Sequence, residues 1–196
     1  MKRKAILIGT IAAIACIMLI IINPGNFFMV TVLRIIGHYR TPQIESSVSI
    51  KKYADDHSLY YDKLFLVSNR DSFDELASVG VNSVPTIQIF DKNKRLLKMA
   101  EQNDCTWALS EYFKKGHGKE MLATDSTTYN FVIERIMPVD VKTSLDTFDY
   151  YVINYWAKYL PKLSHQLFET TNNMKKSMKD NICFMYVSLD QQEKWE

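Results

Sequence analysis

The chain has 196 residues, 47% of them hydrophobic and 12% aromatic, a composition that excludes disorder and suits one ordinary domain with extensions. Its formal net charge is +2, with lysines and aspartates scattered, so no field points to nucleic acid or a strongly acidic substrate. The three cysteines and four histidines form no C-x-x-C and no zinc-spaced set, and neither a metal nor a cofactor is expected.

The amino terminus reads as a membrane anchor. MKRK precedes AILIGTIAAIACIMLIII, an uncharged run over residues 5–22 that as a helix spans roughly 27 Å, about the thickness of a bilayer core. Lys2, Arg3 and Lys4 in segment 1–4 are expected to stay in the cytoplasm, which exports the remainder through the inner membrane. Asn23-Pro24-Gly25 breaks the helix at its exit. A competing reading takes Ala13-Ile14-Ala15-Cys16 as a lipoprotein box with Cys16 lipidated, and it exports the same residues.

Along the exported part, residues 27–196, FFMVTVLRII (27–36) reads as a strand or a short amphipathic helix. After GHYRTP, a helix is expected with Pro42 in its first turn and Ile44, Val48 and Tyr53 on one face. LFLVS (64–68) reads as a strand. DSFDELASVGV reads as a short helix capped by Asp71 or Ser72 and ended by Gly80. Thr86–Phe90 and Arg95–Met99 form a hairpin around DKNK. A helix then begins at Asn103 or Asp104, with Trp107, Ala108, Tyr112 and Phe113 as its apolar residues. Residues 117–146 read as a connector with one short helix ending before Pro138. The last segment is a strand, helix and strand at 150–157, 161–177 and 182–189, with Leu163, Leu167, Phe168 and Met174 inward. Such a β-α-β unit calls for parallel strands.

Two motifs carry a family resemblance. Trp156-Ala157-Lys158-Tyr159-Leu160-Pro161-Lys162-Leu163 resembles the thioredoxin-family signature W-A-x-[WY]-C-P-x-C with leucine at both cysteine positions. Gly80-Val81-Asn82-Ser83-Val84-Pro85-Thr86 resembles the family's cis-proline element, which precedes a hairpin and a last helix. The resemblance implies an α/β fold with a thioredoxin-like central sheet flanked by helices, here behind one transmembrane helix. It covers a cis-proline part, about 42–116, and a degenerate turn part, 147–196, on either side of the connector.

The order of the two motifs is reversed relative to the family, where the redox turn comes first. One explanation is a pair of incomplete modules with GHYRTP in the first redox-turn position. The other is a single composite sheet, which the chain length favours because about 170 residues do not hold two full modules. It requires strand 150–157 to share a sheet with 64–68 and 86–90.

Thiol–disulfide exchange needs a thiolate and a second, resolving sulfur. Leu160 and Leu163 offer neither lone pair nor proton, so this turn supports no exchange. What the resemblance leaves is polypeptide binding: active relatives hold substrate backbone at the residue before the cis proline, here Val84, by strand-like addition. Val84, Pro85 and Thr86 are therefore the expected binding positions, with Trp156, Leu160, Pro161 and Leu163 as the degenerate site. The expected role is a non-catalytic binding or scaffolding module of the bacterial cell envelope, facing the periplasm, with a protein partner and no nucleic acid. The competing role is a thiol oxidoreductase that uses Cys105, activated by the start of a helix, with Cys183 as resolving partner. No pair of carboxylates is spaced for acid–base work.

Overall fold

A computed structural model describes Arg34 and residues 39–114, 126–143, 147–177 and 181–195. The chain divides into two units, Met1–Tyr39 and Arg40–Glu196. The expected membrane span at 5–22, the lipidation alternative at Cys16 and, apart from Arg34, the segment 27–36 lie outside the described residues. Among the described residues no helix is long and apolar enough to cross a membrane.

Arg40–Glu196 is built on one six-stranded mixed sheet. In chain order the elements are α1 (Ser47–Asp56), β1 (Lys63–Val67), α2 (Arg70–Leu76) with a 3-10 turn (Ala77–Val79), β2 (Thr86–Asp91), β3 (Leu96–Glu101), α3 (Asp104–Lys114), α4 (Thr127–Ile133), β4 (Ile136–Val141), β5 (Tyr150–Trp156), α5 (Pro161–Ser177), β6 (Ile182–Ser188) and a terminal 3-10 turn (Glu193–Trp195). The strand order is β3-β2-β5-β6-β1-β4. β6 runs parallel to both β5 and β1, while β2 is antiparallel to β5, and β3 and β4 are antiparallel edges. The β5–β6 pair from the second half of the chain therefore lies between β2 and β1 of the first half in one sheet, as the composite reading requires.

Side-chain alternation along the strands divides the core in two. On one face, Val152 and Trp156 of β5, Phe184 and Tyr186 of β6 and Ile87 and Ile89 of β2 meet α1, α3 and α5. On the other, Tyr151, Ile153 and Tyr155, with Cys183, Met185 and Val187, meet Leu76 of α2 and Val132 of α4. β5 and β6 are buried on both faces, the pattern expected of central parallel strands.

Several elements differ from the sequence reading for identifiable reasons. α1 starts at Ser47, not at Pro42, because Ser46 and Ser49 form a reciprocal capping box. Its inward residues are Ile50, Tyr53 and Ala54, and Ile44 and Val48 are exposed. α2 is capped by Asn69, whose Oδ1 accepts from Ser72 N at 2.7 Å, not by Asp71 or Ser72. Gly80 does end that segment, with φ +88°, and a Cβ there would collide with Met99. In α3, Ala108, Tyr112 and Phe113 are inward but Trp107 is not. The connector holds the expected short helix and also β4. Pro138 sits within that edge strand, opposite Phe65, where the register shifts by one residue. Edges and bulges are where a strand tolerates proline.

Candidate functional site

The leucine turn begins where β5 ends. Ala157 is buried and its carbonyl accepts from Leu160 N at 3.2 Å and from Ser164 Oγ at 2.8 Å. Pro161 opens α5, a position where its missing N–H is no loss. Leu160 and Leu163 are both half-buried, Leu163 less inward than its spacing suggests. Trp156 belongs to the core: it is fully buried, stacks on Tyr53 at 5.5 Å and meets Phe168 edge-on at 5.1 Å.

The proline segment arrives from the adjacent strand. The Val84–Pro85 peptide bond is cis. Thr86, the first residue of β2, pairs with Tyr155, and the antiparallel ladder sets Pro85 beside Trp156. The segments quoted as separate motifs thus meet at one end of two neighbouring strands. Thr86 Oγ1 donates to Ser83 O at 2.6 Å, and Pro85 O accepts from Gln102 N at 2.6 Å. Val84 is half-buried, and neither its N–H nor its C=O has a hydrogen-bond partner among the described residues.

A polar cluster beneath the turn is a feature that sequence reasoning missed. Asp190, just past β6 and 2% exposed, accepts from Lys158 N at 3.0 and 2.9 Å and from Ser188 Oγ at 2.9 Å. Burial, opposed by those hydrogen bonds and by the Lys158 charge, pushes its carboxyl up to about 6. The Lys158 ammonium pairs with buried Glu45 at 2.6 Å, and Glu45 also accepts from Ser49 Oγ. Arg40 N donates to Tyr159 O at 2.7 Å, and Glu45 N to Gln191 O at 2.8 Å. Arg40, from the GHYRTP segment, therefore lies against the leucine turn. Between them lies a cavity of about 310 Å3 bounded by Arg40, Glu45, Lys158 and Asp190. The available signal was an aspartate at the carboxyl end of an apolar parallel strand, where open α/β sheets place their sites.

The cysteine pair reads differently in three dimensions. Cys105 packs in the core on the α1, α3 and α5 face and Cys183 in the core on the opposite face, so the sheet separates them and they are free thiols. Both are 0% exposed. Cys105 does stand at the start of α3, but burial, with Asp104 and Glu101 adding to it, pushes its thiol up to about 12. Its Sγ lies 3.4 Å from the carbonyls of both Pro85 and Ala100, a donor geometry that suits the protonated form. Burial also pushes Cys183 up to about 12. The activation expected from a helix start is outweighed by desolvation. Among the described residues no three His, Cys, Asp or Glu groups converge to hold a metal. His57 stacks on Tyr53 and His165 pairs with Glu169.

Comparison with protein-family models, with curated proteins and with solved structures finds no match.

Proposed function

We propose that this chain is a non-catalytic thioredoxin-like module that binds polypeptide in the bacterial envelope, held to the inner membrane by residues 5–22. The observation that carries the reading is the register of Thr86 against Tyr155. It brings the cis-proline segment and the leucine turn to one place despite their reversed order. The order strand, turn, helix, strand over 150–188 and the order cis proline, hairpin, helix over 84–114 both follow the family pattern. The strand that feeds the turn lies next to the strand that follows the proline.

At this surface the Val84 backbone has no hydrogen-bond partner among the described residues, and Leu160 and Leu163 supply apolar contact without redox chemistry. An extended segment bonded to Val84 would gain strand-like hydrogen bonds and side-chain contacts together. The test is photo-crosslinking in cells from Val84 and, separately, from Leu160, with mass-spectrometric identification of adducts. One protein recurring from both positions is expected. A spread of abundant envelope proteins no different from that captured at exposed Val48 would overturn the reading.

A further inference from the structure

We propose that a second site, the groove between α3 and α5, binds a neutral carbohydrate stacked on Trp107. The two helices lie side by side on one face of the sheet. They border an open groove of about 420 Å3, within the range of small-molecule sites. Trp107 and Ser110 stand three apart on α3, and Thr170, Asn173 and Ser177 recur at helical spacing on α5, so each helix turns one stripe to the groove. Met174, 3% exposed, forms an apolar floor.

Three observations select the ligand class. Trp107 is 59% exposed although it lies in a helix whose neighbouring aromatics are buried. An indole left in water at a groove offers a flat apolar face and a polar N–H tip. That combination suits a pyranose ring, which is apolar on its C–H face and polar at its rim. Next, the lining side chains carry hydroxyl, amide, thioether and indole groups and no charge. Lys175 of α5 turns away, its ammonium 4.9 Å from the Tyr60 ring. Among the described lining residues an anionic or cationic ligand would find no counter-charge, and a nucleic-acid strand no phosphate contacts.

Finally, the side chains of Thr106, Ser110 and Asn173 are hydrogen-bonded to no described residue. Thr170 Oγ1 and Ser177 Oγ donate to their own helix, to Gln166 O at 2.9 Å and Asn173 O at 3.0 Å, and remain acceptors. The groove thus presents donors and acceptors together, as the hydroxyls of a sugar require. The site lies away from the leucine turn and does not depend on the role assigned there.

The experiment uses the full chain in phospholipid nanodiscs, free of sugar-headed detergent. The probes are chitotriose, cellotriose and maltotriose, with 3'-sialyllactose as the anionic control, followed by saturation-transfer NMR and tryptophan fluorescence. At least one neutral trisaccharide should bind saturably, with affinity changing less than about twofold between about 50 and about 500 mM salt. Trp107→Ala should weaken it at least about tenfold, and because the indole is exposed the unfolding midpoint should stay put. Failure of all three neutral probes, binding untouched by Trp107→Ala, or binding of the anionic probe alone would each overturn the proposal.

Discussion

The leucine turn and the start of α3 divide between them what a thiol exchange site needs. The turn has the position: it follows a central strand, opens a helix and lies beside a cis proline. It has no sulfur. The start of α3 has a sulfur, near enough to Pro85 O to donate to it, but the thiol is sealed in the core and held protonated. A thiolate must be both formed and reached; the turn lacks the sulfur and the start of α3 lacks the access. What they share is Pro85. The turn lies beside it from β5, the Cys105 thiol approaches its carbonyl from the core, and the segment that remains open is Val84.

The largest effect expected from this contrast is on thiol reactivity. With both thiols near 12, alkylation of the folded protein at pH 8 should run about a thousandfold slower than in denaturant, with mass spectrometry as the readout. Fast labelling of Cys105 in the folded state would break the comparison.

Next comes the position that the motif shares with the core. Trp156→Ala should cost about 3–5 kcal/mol in urea unfolding, because the indole is fully buried between Tyr53 and Phe168. A loss below about 1 kcal/mol would mean that the frame of the motif is ornamental.

The third effect is pH-dependent. Asp190 has its carboxyl raised to about 6 from an ordinary 3.8, so folding favours its protonated form. Its contribution is fully present below 3.8 and is lost as pH rises through about 6, an amount of about 3 kcal/mol. Asp190→Asn should flatten the fall in unfolding free energy between about pH 4 and pH 7, and an unchanged slope would remove Asp190 as its source.

The smallest effect concerns the turn alone. Returning sulfur to it with Leu160→Cys and Leu163→Cys should raise reduction of an insulin-type disulfide at least about tenfold, worth about 1.4 kcal/mol. No gain would show that more than sulfur has been lost there.

The β5–α5–β6 unit and the β2–β3 hairpin were legible because short apolar, β-branched and aromatic runs flank a helix of plain helical period, and because their ends carry Pro161, Asp91 and Lys94. Other elements were decided by partners far along the chain. β4 hides behind Pro138, which only an edge position and a register shift allow. The start of α1 hinges on two serines, Ser46 and Ser49, capping each other against the more conspicuous Pro42. Trp107 fits the apolar spacing of α3, yet it stands on the outer side of the α3–α5 contact, where Ala108, Leu109 and Phe113 do the packing. The site was half legible: its leucines and its proline stand out as motifs, whereas Asp190 and Glu45 become neighbours of Lys158 only through the fold. Cys105 misled because a helix start was visible in sequence and burial was not.

The central claim is that the surface at Val84 and Leu160 binds polypeptide without sulfur. Its most direct test is the yield of the Val84 photo-crosslink in cells, compared between Leu160→Asp and the double variant Cys105→Ser, Cys183→Ser. The account predicts at least about tenfold loss with Leu160→Asp, whose charge would be desolvated under a bound segment, and full yield in the double variant. Yield that survives Leu160→Asp but falls with the cysteines removed would contradict it.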